Sequence, residues 1–234
     1  MMNSFPQDSV CVVIGATGGI GSALLSSLEN SGTFKTVIGL SRSSFPALNL
    51  LEESSIASCA GYIASVGVPR LIIDATGLLQ RDGMQPEKSW RQLDPVHMME
   101  SFAINAIGPA LLMKHLLPLL PREGKSVFAT LSAKVGSIGD NHLGGWYSYR
   151  ASKAALNQLV HTAAIELNRR QPEAICVALH PGTVQTSLSS PFSKTGLEVQ
   201  TPSTAATRLL TVIDQLMPEN SGQFLDYRGD FLPW

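Results

Sequence analysis

Tyr149-Arg150-Ala151-Ser152-Lys153 places a phenol and an ammonium four residues apart. The stretch opens an apolar-periodic segment, residues 148–168, that reads as an amphipathic helix. On a helix, residues at that spacing share one face, a turn apart. A phenol is a poor acid near neutrality, with an ordinary pKa of about 10. A nearby ammonium favours the phenolate, so the value is expected to fall. Tyr149 would then move a proton and Lys153 would make it able to. A Tyr and a Lys simply exposed on a helix would show the same spacing, so the reading depends on what the rest of the chain brings to this pair.

The first element that bears on it is near the start. Val10–Ile14 is a short Val/Ile-rich run and reads as a buried strand. Gly15-Ala16-Thr17-Gly18-Gly19-Ile20-Gly21 follows at once, and then a helical pattern over 22–29 closed by Asn30-Ser31-Gly32. Strand, Gly-rich turn and helix are what a dinucleotide-phosphate loop needs. The glycines permit close backbone approach, and the helix start offers free N–H groups and a positive dipole end. A Gly-rich turn without ligand is the plain alternative, and the flanking elements argue against it.

Further strands are expected at Thr36–Leu40, ending in Ser41-Arg42, at 48–50, at 71–74, at Ser126–Leu131, at 175–179 and at 224–227. The fourth runs into Ala75-Thr76-Gly77, the fifth delivers Ser132, and the sixth is followed by His180-Pro181-Gly182-Thr183-Val184-Gln185-Thr186. A weaker helix is expected over 52–64. Asp94-Pro95 opens another as N-cap and N1 proline, running to about Leu117 until Pro118 and Pro121 end it. Asn105 lies in its apolar stripe, either as a core hydrogen-bond node or as part of a site. Residues 136–146 form a Gly-rich loop, and 191–200 a loop or mobile lid. Thr201-Pro202 repeats the helix-start signal for a last helix over 203–216. Alternating strands and helices predict one α/β domain, 1–234, with a doubly wound parallel sheet of about seven strands and helices on both faces. In such a sheet, ligands bind beyond the carboxyl ends of the strands, where these loops converge.

The chain has 234 residues, 44% of them hydrophobic, and a net charge of -1. That suits a single domain with a full core and argues against nucleic acid or an anionic membrane surface as the main partner. No apolar run is expected to span a membrane, and residues 1–9 carry no signal-peptide pattern. Cys11, Cys59 and Cys176 suggest neither a disulfide framework nor a metal site, and the histidines show no ligand pattern. A reducing cytoplasm is the expected setting.

With these residues in place, the chain resembles the short-chain dehydrogenase/reductase family over essentially its whole length. The resemblance rests on the 15–21 loop, Asn105, the Ser132 region, Tyr149-x-x-x-Lys153 and Pro181-Gly182, in that order. Gly144-Gly145-Trp146-Tyr147-Ser148-Tyr149, the preceding Gly136-Ser137-Ile138-Gly139-Asp140-Asn141 and Pro233-Trp234 look most like its C-factor and sniffer-type carbonyl reductases. The resemblance implies a Rossmann fold and hydride transfer between a nicotinamide cofactor and a small carbonyl/alcohol substrate. It implies Tyr149 as general acid for carbonyl reduction, with Lys153 holding the nicotinamide ribose and lowering the pKa of Tyr149. Asn105 would anchor a proton-passing water, and a serine after the fifth strand would bond the substrate oxygen. The cofactor would meet Gly15, Thr17, Gly18, Gly19, Ile20, Gly21, Ala75, Thr76, Gly77 and, at its carboxamide, Pro181, Gly182, Val184 and Thr186.

Two departures stand out. The usual Asn-Asn-Ala-Gly is Asp74-Ala75-Thr76-Gly77 here, so the asparagine brace is expected to be gone. The family's serine position is Ala133. Ser132 is one residue early and would face the other side of an unbroken strand, with Ser137 a remote second candidate. The cofactor is expected to be NADPH, because Ser41 replaces the carboxylate an NAD site wants and Arg42 can hold a 2′-phosphate. His142, Trp146 and 191–200 are candidates for the pocket rim. An NADP-dependent carbonyl reductase is one reading, and an NADP(H)-binding regulatory or sensor protein with weak or no turnover is the other. Apolar surplus on the helices from Pro95 and Ser148 predicts a homo-oligomer.

Overall fold

The computed structural model describes residues 2–81, 84–186 and 199–234. In chain order the strands are β1 (Val10–Ile14), β2 (Thr36–Leu40), β3 (Pro69–Asp74), β4 (Ser126–Leu131), β5 (Ala174–His180), β6 (Thr183–Val184), β7 (Val199–Gln200) and β8 (Phe224–Asp226). The helices are α1 (Gly19–Ser31), α2 (Glu53–Val66), α3 (Pro95–Phe102), α4 (Gly108–Leu116), α5 (Tyr147–Arg170) and α6 (Pro202–Gln215). Six strands form one sheet in the order β2-β1-β3-β4-β5-β8, every pair parallel, and β6 pairs with β7 apart from it. From β1 the chain goes to β2 on one side and β3 on the other, which opens a crevice beyond their carboxyl ends.

Both faces of the sheet are covered, so its strands read as continuous apolar runs rather than alternating ones. Val10, Val12 and Ile14 of β1 join a core with Ile56 of α2, Leu112 of α4 and Leu156 of α5. Cys11 and Val13 face the other way, onto Leu24 of α1 and Leu209 of α6. The strand expected at 48–50 is absent. Leu48 is buried, but its N–H turns back to the Ser41 carbonyl at 2.8 Å, so this segment folds over the end of β2 instead of pairing. The main sheet therefore has six strands, not about seven.

The helix starts follow the expected caps. The Asp94 carboxylate accepts from the N–H groups of Val96 and His97 at 2.9 and 3.0 Å, and Thr201 Oγ1 accepts from Thr204 N–H at 3.2 Å. After α3 the chain widens into a π-helical turn, Ala103–Ile107, before α4, and a 3₁₀ turn, Leu117–Leu119, carries it past Pro118. The turn is closed by the Gly108 N–H on the Ala103 carbonyl, five residues back, and Pro109 follows it. That proline has no N–H to give the carbonyl of Asn105, four residues before it, so the regular ladder breaks at Asn105. Contrary to the sequence expectation, Pro95–Leu119 is long and apolar enough, at 25 residues, to cross a membrane by length and composition. Here it packs against α5 and α2, the surroundings of a core helix.

Candidate active site at the carboxyl edge of the sheet

The 15–21 loop turns directly off β1. Gly15 has φ 79°, and a Cβ there would stand 3.1 Å from the backbone of Ala75, so the loops after β1 and β3 pass in contact. Thr17, Gly18 and Gly19 are exposed, and α1 has no side-chain cap at Gly18. The first-turn amides of a helix lack helical acceptors, and the glycine at the N-cap supplies no side chain in their place. A Cβ on Gly19 would stand 2.7 Å from Thr186 Cγ2, which brings the segment after β5 over the same turn. Ile20 is half-buried and packs on the α1/α6 core, and Gly21 is buried under the loop. These features suit the pyrophosphate of a dinucleotide: a backbone cradle, open amides and a helix N-terminus.

At the end of β2, Ser41 is buried. Its Oγ stands 3.1 Å from Ser43 Oγ, and its N–H donates to Ser44 Oγ at 2.9 Å. Arg42 is exposed, with no hydrogen bond or ion pair among the described residues. Beyond β5, Gln200 of β7 donates to the Pro181 carbonyl at 2.9 Å, and β6 places Val184 in a buried position beside it. Residues 191–198 of the expected lid lie outside the described residues. Val199 and Gln200 form β7 rather than loop.

Asn105 sits fully buried in the π turn. Its Oδ1 accepts from Leu78 N–H at 2.7 Å, and its Nδ2 donates to Leu78 O at 2.8 Å and to Ser152 Oγ at 3.1 Å. Ser152 Oγ in turn donates to the Tyr149 carbonyl at 2.9 Å. Asn105 is thus a core node and a neighbour of the Tyr149 turn at once. Lys153, 3% exposed, donates from Nζ to the Leu131 carbonyl at 2.8 Å. A Cβ placed on Gly77 would stand 3.6 Å from both Asn105 Oδ1 and Lys153 Nζ. The Tyr149 ring packs edge-on to Trp146, with centroids 6.2 Å apart.

The electrostatics differ from the sequence expectation. Burial pushes Tyr149 up to about 12 instead of Lys153 pulling it down. Lys153 itself is lowered to about 8, because burial disfavours its charge more than nearby Asp74 restores it. Both groups therefore hold their protons at neutral pH.

The remaining candidates are placed as follows. Ser132 Oγ donates to Asn157 Oδ1 at 2.6 Å, both side chains buried, so its hydroxyl is engaged with α5. Ser137 Oγ accepts from Asp140 N–H at 3.1 Å and closes a local turn. With no asparagine after β3, Asp74 makes a brace of its own. Asp74 Oδ2 accepts from Thr130 Oγ1 at 2.7 Å, and Oδ1 accepts from Thr76 N–H and Oγ1 at 3.0 and 2.6 Å. Asp74 and Thr130 are register partners on β3 and β4, so the carboxylate ties the two strands just below the site. Sequence reasoning missed three further residues. Arg150 reaches three loop carbonyls, Asn157 holds Ser132, and Glu87 meets the start of α5. Arg150 and Asn157 stand at helical spacing around Lys153, a signal for them. Nothing in the polar run around Glu87 marks it.

Residues 71–214 match a family model described as Enoyl-(Acyl carrier protein) reductase. The protein named C-signal from Myxococcus xanthus is 39% identical over 144 residues, 61% of this chain and 81% of that one. A 1-hydroxy-2-glutathionyl-2-methyl-3-butene dehydrogenase from Rhodococcus sp. (strain AD45) is 33% identical over 190 residues, 81% of this chain and 79% of that one. Among solved structures, an NADPH-bound carbonyl reductase from chicken fatty liver superposes with a TM-score of 0.85 at 24% identity, covering 99% of this chain and 96% of that one. At that identity the superposition speaks for the fold.

Proposed function

Because this chain belongs to the short-chain dehydrogenase/reductase family of oxidoreductases, we propose that it reduces a small carbonyl substrate with NADPH, Tyr149 supplying the proton. The observation that carries this reading is the convergence of Lys153 and Asn105 on Gly77, beside the loop that follows β1 and tied through Ser152 to the backbone of Tyr149 one helical turn away. When bound, the cofactor supplies hydride to the carbonyl carbon. The 15–21 loop would hold its phosphates through backbone amides, with the Ala75–Gly77 segment in contact with that loop. Lys153, whose buried ammonium donates to the Leu131 carbonyl, would hold its ribose. Tyr149, neutral at working pH, gives its phenolic proton to the developing alkoxide. NADPH rather than NADH is supported by Ser41, which places no anion against a 2′-phosphate, by the exposed Arg42 guanidinium, and by the NADPH held by the structural neighbour. The proposed setting is a reducing cytoplasm, where the buried cysteines stay as thiols.

The test is NADPH oxidation over a panel of aldehydes and ketones. Tyr149→Phe should bind NADPH like wild type and lose ~10²–10⁴-fold in turnover. Full activity in Tyr149→Phe would remove the assignment. One observation favours the regulatory or sensor reading instead. Ser132 is bonded to Asn157 and position 133 is alanine, so a hydroxyl for the substrate oxygen is not supplied from there. Tight NADPH binding with no turnover on any carbonyl would favour that reading.

A further inference from the structure

Tyr149 lies in the first turn of α5, and first turns fray because their amides lack helical acceptors. α5 has no side-chain cap from its own N-cap residue and no acidic residue in its first turn. That N-cap, Trp146, has φ 52° and is the one non-glycine residue with positive φ among those described. A bulky residue keeps this conformation where its neighbours over-determine it. Glu87 is such a neighbour. Its backbone carbonyl accepts from Trp146 N–H, and its carboxylate accepts from Ser148 N–H at 3.2 Å and from Ser148 Oγ.

Glu87 is 4% exposed, and no Lys, Arg or His pairs with it among the described residues. An unpaired buried carboxylate is costly. What compensates it here is the pair of Ser148 donors and the positive end of α5. On the other side of Tyr149, Arg150 donates to the carbonyls of Gly145, Val135 and Gly144 at 3.0, 3.1 and 3.2 Å. The reacting phenol is therefore flanked by two tied residues, while Lys153 is anchored separately one turn deeper.

We propose that Glu87 is a positioning residue: its buried carboxylate clamps the first turn of α5 through Ser148 and so holds the Tyr149 phenol in place for proton transfer. The proposal rests on the carbonyl-reductase reading above. It is tested on the full chain with Glu87→Ala, Glu87→Gln, Ser148→Ala and the Glu87→Gln/Ser148→Ala double variant, with Tyr149→Phe as control. Glu87→Ala should lower kcat by about 10²-fold, the order that a misplacement of about 1 Å costs, with the KM for NADPH unchanged. Glu87→Gln, which keeps one acceptor, should recover part of that loss. The double variant should be no slower than the slower single, because both changes break one contact. Without any substrate, hydrogen exchange at the 147–150 amides should quicken in Glu87→Ala while exchange in the middle of α5 stays as in wild type. Wild-type kcat in Glu87→Ala, multiplying losses in the double variant, or unchanged local exchange would each overturn the clamp. If Glu87→Ala does not fold, Glu87→Gln and Ser148→Ala decide by the same criteria. Full turnover by Tyr149→Phe would remove the carbonyl-reductase reading and this proposal together. An inactive Tyr149→Phe beside an unaffected Glu87→Ala would remove the clamp alone.

Discussion

At Lys153, burial and charge pull in opposite directions. Desolvation brings the ammonium down to about 8, with Asp74 opposing part of the shift, while Tyr149 is raised to about 12. Below about 8 the lysine is charged and the phenol keeps its proton, which is the pairing that carbonyl reduction needs. As pH rises through that value the ammonium is lost first, because the phenol titrates far higher. The expected kcat/KM for reduction is therefore flat near neutrality and falls above about pH 8. A pH profile of the free enzyme checks this, and an undiminished rate at pH 10 would contradict it. The same scale holds the cofactor preference. Arg42 is exposed and makes no hydrogen bond or ion pair among the described residues, so its guanidinium is available to a 2′-phosphate. Arg42→Ala should weaken NADPH relative to NADH by about 1.5–3 kcal/mol, the range of a charged hydrogen bond. Ser41→Asp should shift preference toward NADH. Fluorescence titration with both cofactors measures each effect, and tighter NADH binding by wild type would refute the assignment.

Between elements, the Asp74 carboxylate takes the place expected of an asparagine. Its three contacts are all donors: Thr130 Oγ1 from β4, and the N–H and Oγ1 of Thr76 from the loop that continues β3. An asparagine at this position would offer an N–H₂ where one of these donors now points. Asp74→Asn should therefore destabilise the protein by about 1–3 kcal/mol, read from denaturant unfolding. Its second consequence is electrostatic. Removing the anion that supports Lys153 should move the alkaline limb of the pH profile to lower pH. A limb that stays in place would show that Asp74 braces the strands without acting on the lysine.

For the whole molecule, the surface along α3, the π turn and α5 is the informative part. Val96, Met99, Ile107 and Ile165 are exposed there, although α3 and the π turn pack side by side with α5. One chain leaves these side chains in water, and a contiguous apolar patch built from them would mark an interface. We expect a homo-oligomer built through these helices. Light scattering at micromolar concentration should give at least a dimer mass, and Ile165→Asp should lower it. A monomeric wild type would end the expectation.

What could be read from the chain alone was local. The Tyr149–Lys153 spacing, the Gly-rich turn between a strand and a helix, and the caps at Asp94 and Thr201 each depend on contacts within a turn or two. Their chemistry is therefore visible in consecutive residues. The parallel α/β class followed from the alternation of runs, because strands buried on both faces must be apolar throughout. The segment at 48–50 does not reveal its place, because a short apolar run is the same whether it pairs or plugs a loop. The tertiary structure decided the rest through contacts far apart in sequence. Asp74 meets Thr130 across 56 positions, Ser132 meets Asn157 across 25, and Glu87 meets Ser148 across 61. It also reversed the expected direction of the Tyr149 pKa. A lysine at helical spacing can be read from the sequence, whereas the desolvation that raises the phenol belongs to the packed chain.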